Sequence, residues 1–184
     1  MEKITLKQTR QWIFNALFRL MEEESYSDIT IVDIVSEAHI GRRTFYRYFS
    51  SKDDVLMQYC NLIFMEFAER ILEKGNLTLY TGCLSCFEFC ERHIRFLILL
   101  QKSNMLHFVG ERLPAFVGKV AVDVSHITLV QAEKMMDQQG IEYYAHYFTF
   151  GGIWSIITEW IKKENRETPK EMAIYLVDIM ERNF

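Results

Sequence analysis

The segment from Thr30 to Leu56 constrains the fold most, because it reads as two short helices joined by a tight turn. Thr30 can accept a backbone hydrogen bond at a helix N-terminus, and Asp33 stands where it would complete a capping-box pair. Apolar residues then recur at helical spacing for about two turns. The sequence therefore predicts a short helix that begins at Thr30.

The four residues that follow, Ala38 to Gly41, have to reverse the chain direction. Such a reversal needs one residue with a positive φ, and histidine is among the non-glycine residues enriched there. Gly41 is an acceptable N-cap for a second helix. We therefore predict that the chain turns at His39 and that a second helix starts directly after Gly41.

This second helix has two chemically different sides. One is an apolar stripe, and the other carries basic and hydroxyl side chains: Arg42, Arg43, Thr44, Tyr46, Arg47 and Tyr48. Arginine can pair with guanine in the major groove, and hydroxyl groups can bond phosphate oxygens. Ser51 and Asp54 can cap a third helix, which places Lys52 at an N-terminus where phosphate binding is favoured. Composition alone equally allows a solvated helix face, but the turn and the two caps favour a helix-turn-helix that reads DNA.

The run from Ala38 to Phe49, followed by Ser51-Lys52-Asp53, resembles the signature of the TetR/AcrR family of bacterial transcriptional regulators. The resemblance covers residues 7 to about 56 strongly, and the rest only in its helical layout. It implies an all-α homodimer, in which a three-helix N-terminal DNA-binding domain is joined by a long helix to a C-terminal ligand-binding and dimerisation domain. Family members usually have Gly in place of His39 and Ser in place of Gly41, and both substitutes are conformationally permitted.

The resemblance also implies roles for individual residues of the reader segment, the stretch from Thr30 to Lys52. It assigns phosphates to Thr30 and Lys52, the DNA backbone or thymine to Tyr46 and Tyr48, and base edges to Arg42, Arg43 and Thr44. Arg47 belongs to the same face, with a phosphate as its candidate contact, whereas Phe45 is expected in the core.

Composition agrees with a helical protein of two parts. The chain has 184 residues, of which 49% are hydrophobic, and its two prolines and eight glycines leave long uninterrupted segments without period-2 alternation. Residues 1–52, the predicted DNA-binding domain, carry a balance of +1, and residues 53–184, the predicted sensing and dimerisation domain, carry −5. Positive charge is thus local to the reader segment. No apolar run reaches the roughly 18 residues that span a membrane, and no signal-peptide core is present, so we expect a cytoplasmic protein.

A stripe of Cys83, Cys86, Cys90 and His93 is the one pattern that suggests a metal. Four ligands spread over about 15 Å of helix cannot all reach one ion, although two neighbours could share one. Buried cysteine commonly behaves as a small hydrophobic residue, so a core stripe is the favoured interpretation. We expect no metal and no cofactor, and keep a metal or redox sensor as an alternative.

The C-terminal part is predicted to contain a helix at about 115–139, an aromatic-rich helix at 141–163 and a last helix capped by Thr168 before Pro169. The aromatic helix carries more rings than one face can bury, so we assign its second face, with the last helix, to a homodimer interface at Gly151, Trp154 and Trp160. An entirely internal helix is the alternative. Aromatic residues also line many ligand pockets, and the candidate walls here are Phe87, Phe108, Tyr143, Tyr147 and Phe150, each of which is otherwise a core residue.

Together these features predict a homodimeric repressor that binds a near-palindromic DNA operator and is released by a small ligand. A coactivator of the same fold that acts through a protein partner is an alternative, but such a protein would be expected to lack the basic reader face. An enzyme is not expected, because the five histidines are scattered and no nucleophile motif or phosphate loop is present.

Overall fold

The computed structural model of the chain describes residues 6–74, 78–110 and 141–183, and every regular element in these ranges is an α-helix. In chain order the helices are α1 (Leu6–Glu23), α2 (Ile31–Glu37), α3 (Arg42–Tyr48), α4 (Lys52–Lys74), α5 (Leu79–Arg92), α6 (Ile94–Lys102), α7 (His107–Gly110), α8 (Ile141–Lys162) and α9 (Pro169–Asn183). The predicted all-α class is confirmed. The helix predicted at 115–139 lies outside the described residues.

The described residues form two compact units. One comprises the residues up to Ile63 together with Leu99–Met105, and the other comprises Phe64–Ile98 and the residues from Leu106 onward. The division between them falls within α4. No helix of the described ranges is both long and apolar enough to cross a membrane.

The first unit is built around the buried face of α1. Ile13, Ala16, Leu17 and Met21 recur at three- and four-residue steps along this helix, and all four side chains are buried. Aromatic rings extend this core, since the ring of Phe14 meets that of Phe49 edge-on at 5.6 Å between centroids. Such a pair adds about 0.5–1.5 kcal/mol beyond the burial of its area.

The turn between α2 and α3 has the geometry of a Schellman motif. Helix α2 begins with the predicted capping box of Thr30 and Asp33 and reaches its C-cap at Ala38. The N–H of His39 donates to the Ser36 carbonyl at 3.1 Å, and that of Ile40 donates to the Val35 carbonyl at 3.0 Å. This pattern requires a left-handed residue after the C-cap, and His39 has a φ of 52°. The prediction of a positive φ at His39 is confirmed, as is the N-cap at Gly41.

The second unit is organised by α5 and α9, which pack along each other. Thr78 and Thr81 form a capping box at the start of α5, and Thr168 and Glu171 form another at the start of α9. Local hydrogen bonds thus fix where both helices begin. In the same unit, the ring of Phe87 on α5 meets the indole of Trp160 on α8 edge-on, with 5.4 Å between the ring centroids.

The left-handed backbone at His39 gives a first prediction. Replacing His39 with valine, whose branched Cβ is strained at positive φ, should lower the free energy of unfolding by about 1–2 kcal/mol. Replacing it with asparagine, which tolerates this region, should change that energy by no more than about 0.5 kcal/mol. Urea unfolding measures both, and equal stability of the two variants would contradict the assigned turn.

Candidate nucleic-acid interface

Helix α3 presents its charged side chains to solvent and keeps the ring of Phe45 inside. Arg42, Arg43 and Arg47 are exposed, and the side chain of Tyr46 is 58% exposed. Thr44 and Tyr48 are half-buried. The exposed side of α3 can approach a DNA groove because the other side of the helix is anchored in the core.

Two phenylalanines hold α3 on the core. Phe45 is fully buried, and Phe49, the C-cap residue, retains 2% exposure. Their ring centroids are 5.8 Å apart. Since successive residues of a helix are rotated by about 100°, an inward Phe45 leaves positions 43, 46 and 47 directed away from the core, and Arg42, in the first turn of α3, is exposed as well.

The junction between α3 and α4 is fixed by hydrogen bonds that read as a small polar network. Gln58 on α4 donates to the Tyr48 carbonyl at 3.0 Å and to the Asp54 carboxylate at 3.1 Å. Asp54 in turn accepts from the Ser50 N–H at 2.7 Å, and its own N–H donates to Ser51 at 3.0 Å. The predicted cap at Ser51 is present. The end of α3 is therefore tied to α4 by side chains as well as by the core.

Lys52 has a different environment from the one expected. Its ammonium group donates to three backbone carbonyls of the α1–α2 loop, those of Tyr26 (2.5 Å), Ser27 (3.1 Å) and Ile29 (2.8 Å). It also lies 4.5 Å from the centre of the Tyr26 ring. An ammonium group has only three N–H donors, so all of them are used. Lys52 thus acts inside the unit as a clamp on the loop, and the expected phosphate contact, which stays a prediction, would require at least one of these hydrogen bonds to be given up.

A second contact holds the same loop. The Tyr26 hydroxyl donates to the Asp53 carboxylate at 2.5 Å. Burial, together with this hydrogen bond, raises the pKa of Tyr26 above its ordinary value, so its hydroxyl remains protonated. The first two residues of α4 thus both anchor the loop that precedes α2.

Thr30 is also engaged within the chain. Its hydroxyl accepts from the Asp33 N–H at 3.3 Å and donates to the Asp33 carboxylate at 2.5 Å. The single hydroxyl proton is therefore used in the capping box. The structure gives Thr30 a role in starting α2, and a phosphate contact would require the hydroxyl to leave Asp33.

Several arginines outside α3 are held in ion pairs. Arg19, Arg70, Arg92 and Arg182 form ion pairs with carboxylates at 2.7–3.1 Å. By contrast, the arginines of α3 form no ion pair within the described parts of the chain. Positive charge on the exposed side of α3 is thus left without a neutralising partner among those residues.

Comparison with known proteins gives the same assignment from two directions. Residues 13–59 match the family model of bacterial regulatory proteins of the TetR family, and residues 78–182 match a transcriptional regulator C-terminal region. The second match alone spans more than half of the chain.

This chain belongs to the TetR family of transcriptional regulators. The expectation of a DNA-binding regulator, in place of an enzyme, is confirmed by that membership. The chain is 34% identical over 55 residues to an uncharacterized HTH-type transcriptional regulator of Haemophilus influenzae. That match spans 29% of the Haemophilus protein and 30% of this chain.

Two solved structures share the fold over nearly the whole length. A TetR transcriptional regulator from Streptococcus agalactiae superposes with a TM-score of 0.65 at 20% identity, covering 94% of this chain and 93% of that one. The fatty acid degradation regulator FadR from Bacillus halodurans gives a TM-score of 0.67 at 15% identity, with 96% of each chain covered. At these identities the likeness establishes the TetR fold and nothing finer.

The residues that we expected at the dimer interface of this TetR-family chain separate into inward and outward positions. Trp160 is a correction: its side chain is buried within its own unit, and its indole N–H donates to the Glu167 carbonyl at 2.8 Å. Trp154 is half-buried, and a Cβ at Gly110 would lie 2.7 Å from its indole nitrogen. Gly151 alone of the three is exposed.

The expected pocket residues are likewise divided. Phe87 has no accessible surface and packs against Trp160, as a core residue does, and its assignment as a pocket wall stays a prediction. Phe108 is half-buried on α7 beside His107, with 4.8 Å between ring centroids. The side chains of Tyr143, Tyr147 and Phe150 lie outside the described residues.

The cysteine stripe of α5 faces the core. Cys83 and Cys90 are buried, and Cys86 is half-buried. Burial raises the pKa of Cys83 to about 11, and a hydrogen bond to Cys86 together with burial raises the pKa of Cys90. Thiolates are the form that binds metals and reacts with oxidants, so this environment disfavours both reactions at Cys83 and Cys90, whereas the hydrogen bond with Cys90 lowers the pKa of Cys86. No cluster of three or more potential metal ligands occurs among the residues that the structure describes.

Two functional candidates were missed from the sequence. Gln58 supports the end of α3, and Arg10 on α1 lies with its guanidinium 6.0 Å from the centre of the Tyr48 ring. Neither stands in the reader segment's basic helix, and a glutamine or arginine on a long helix gives no signal of its own. Their partners are ten and 38 residues away in sequence.

The environment of Lys52 gives a second prediction. Replacing Lys52 with methionine removes three charge-assisted hydrogen bonds, and we expect the free energy of unfolding to fall by about 2–3 kcal/mol. The dependence of DNA affinity on salt should not become shallower, since no phosphate contact is lost. Urea unfolding and binding at several salt concentrations measure the two effects.

Lys170→Met on the exposed start of α9 is the matched control and should leave stability within about 0.5 kcal/mol. If Lys52→Met kept its stability and its DNA affinity depended less steeply on salt, the result would instead support a phosphate contact for Lys52.

Proposed function

We propose that this TetR-family regulator is a homodimeric repressor whose two α3 helices read the half-sites of a near-palindromic operator. The observation that carries the proposal is the exposed surface of α3, where three arginines have no ion-pair partner among the described residues while two buried phenylalanines hold the helix on the core. A free guanidinium can pair bidentately with guanine, which contributes about 1–3 kcal/mol of discrimination.

We propose a dimer because a single α3 helix provides little affinity and specificity for DNA. Seven residues of α3 contact only a few base pairs, and two linked copies multiply the affinity by engaging half-sites one helical turn, or a multiple, apart. The repressor is released if a small molecule binds the DNA-free arrangement better. A difference of 1–3 kcal/mol shifts occupancy about 5- to 150-fold.

The operator can be found by selecting bound duplexes from a random pool, and Arg43→Ala then tests the reader face. We expect this variant to lose about 5- to 150-fold of its affinity for the selected sequence, with little change on random duplex. Arg19→Ala is the matched control, because its guanidinium pairs with Glu37 at 3.0 Å. Equal affinity of the Arg43 and Arg19 variants for the operator would overturn the assignment of α3 as the reader.

The interface between the two copies is proposed on α8 and α9. On α8 the exposed residues Tyr144, Phe148, Gly151, Gly152 and Ser155 follow one side of the helix, and the side chains of Tyr144 and Phe148 are each 68% exposed. On α9 the exposed apolar residues are Ile174, Tyr175 and Ile179. An apolar face of this extent is typical of an interface between protein chains, and a second copy is the partner that a palindromic operator requires.

Phe148→Asp should therefore shift the protein from dimer to monomer, because it buries an unpaired carboxylate at the interface. Light scattering after size-exclusion chromatography measures the mass. Met65→Asp on α4 makes the same chemical change at a residue that is 62% exposed but lies outside this face, and it should remain a dimer. If the Phe148 variant also stayed dimeric, the interface would have to lie elsewhere.

A further inference from the structure

We propose that Arg10, on α1, is a further DNA-binding residue that contacts a backbone phosphate at the edge of the half-site. The inference rests on the proposed reading of DNA by α3. It extends the binding surface to a helix outside the helix-turn-helix pair.

The position of Arg10 is set by the core beneath it. Phe14, one turn later on the same face of α1, packs its buried ring on Phe49 at the end of α3. Arg10 therefore lies beside the last turn of α3, with its guanidinium 6.0 Å from the centre of the Tyr48 ring. At this distance the cation–π attraction holds the charge over the ring, although the side chain is exposed.

Arg10 forms no ion pair with the described residues. Asp54 is an acidic residue on which the charge of Arg10 acts. Partial burial acts in the opposite direction, but hydrogen bonds from Ser50 and Gln58 and the charge of Arg10 keep the pKa of Asp54 below its usual value. That carboxylate accepts three hydrogen bonds, and the structure shows no ion pair between it and the guanidinium of Arg10. Arg10 thus shares with Arg42, Arg43 and Arg47 the property that separates them from the paired arginines.

The length of α3 explains why a cation beside its end meets a phosphate. Seven residues of helix are about 10 Å long, and the major groove is about 12 Å wide. When α3 lies in the groove, groups next to its last turn come close to the flanking strand. Guanidinium groups at such positions bind phosphate oxygens and fix the register without reading sequence.

Arg19 provides a control on the same helix. It lies nine residues, or two and a half turns, after Arg10, so the two side chains leave opposite sides of α1. Both carry the same charge and both are exposed. They differ in that Arg19 pairs with Glu37, whereas Arg10 faces Tyr48.

The test measures affinity of the full-length chain for the selected operator and for random duplex between 50 and 200 mM salt. For Arg10→Ala we expect the slope of log affinity against log salt to fall by about 0.9 for each reader domain bound. Affinity should fall by the same factor on both duplexes. Arg10→Lys should keep the slope, and Arg19→Ala should behave as the unaltered protein does.

Arg10→Met guards against a folding effect, because it keeps an alkyl stem over the Tyr48 ring without the charge and should give the same loss of slope. An unchanged slope in the alanine and methionine variants would overturn the phosphate contact. If Arg43→Ala still lost operator affinity, only this inference would fall. If the Arg43 variant also bound as before, the proposed function would fall with it.

Discussion

The left-handed backbone of His39 is the constraint on which the reader surface depends. Only a positive φ at this residue lets the N–H groups of His39 and Ile40 reach the carbonyls of Ser36 and Val35, which would otherwise end α2 without partners. The reversal then starts α3 at an angle that brings Phe45 and Phe49 into the core. Once these two rings are buried, helix geometry directs Arg43 and Arg47 outward, so the backbone at His39 determines which of these charges DNA can meet.

Lys52 and the unpaired arginines lie in two different environments and have different roles. The Lys52 ammonium lies against three carbonyls, where it gains short charge-assisted bonds and keeps the loop before α2 in place. The unpaired arginines lie in water, where an ion pair would add at most about 1 kcal/mol to stability. A carboxylate partner there would compete with phosphate for the same guanidinium. Leaving these residues without one costs the fold little and keeps the charge available.

Local features of this fold could be predicted from sequence, and long-range contacts could not. The turn at His39 and the caps at Thr30, Ser51 and Thr168 depend on residues within a few positions of each other, so their spacing reveals them. The helix N-terminus and the family resemblance point Lys52 to a phosphate, whereas its carbonyl partners stand 23 to 26 residues earlier, in a loop whose path no local pattern gives. Arg10 was overlooked for the same reason, since its neighbour Tyr48 is 38 residues away.

The aromatic residues of α8 show where counting rings falls short. The number of rings predicts two apolar faces around the helix. Among the described side chains, however, exposed and buried residues are separated along the length of the helix. Tyr144 and Phe148, in the first half, are exposed, whereas Ile157, Trp160 and Ile161, in the last turns, are buried within the unit. The partner of Trp160 is Phe87, on a helix that comes 73 residues earlier, so sequence alone could not tell that this ring turns inward. We therefore expect a substitution late in α8 to disturb folding and, with the interface proposed above, one early in α8 to disturb association. The two effects can be separated by measuring stability and mass on the same variant.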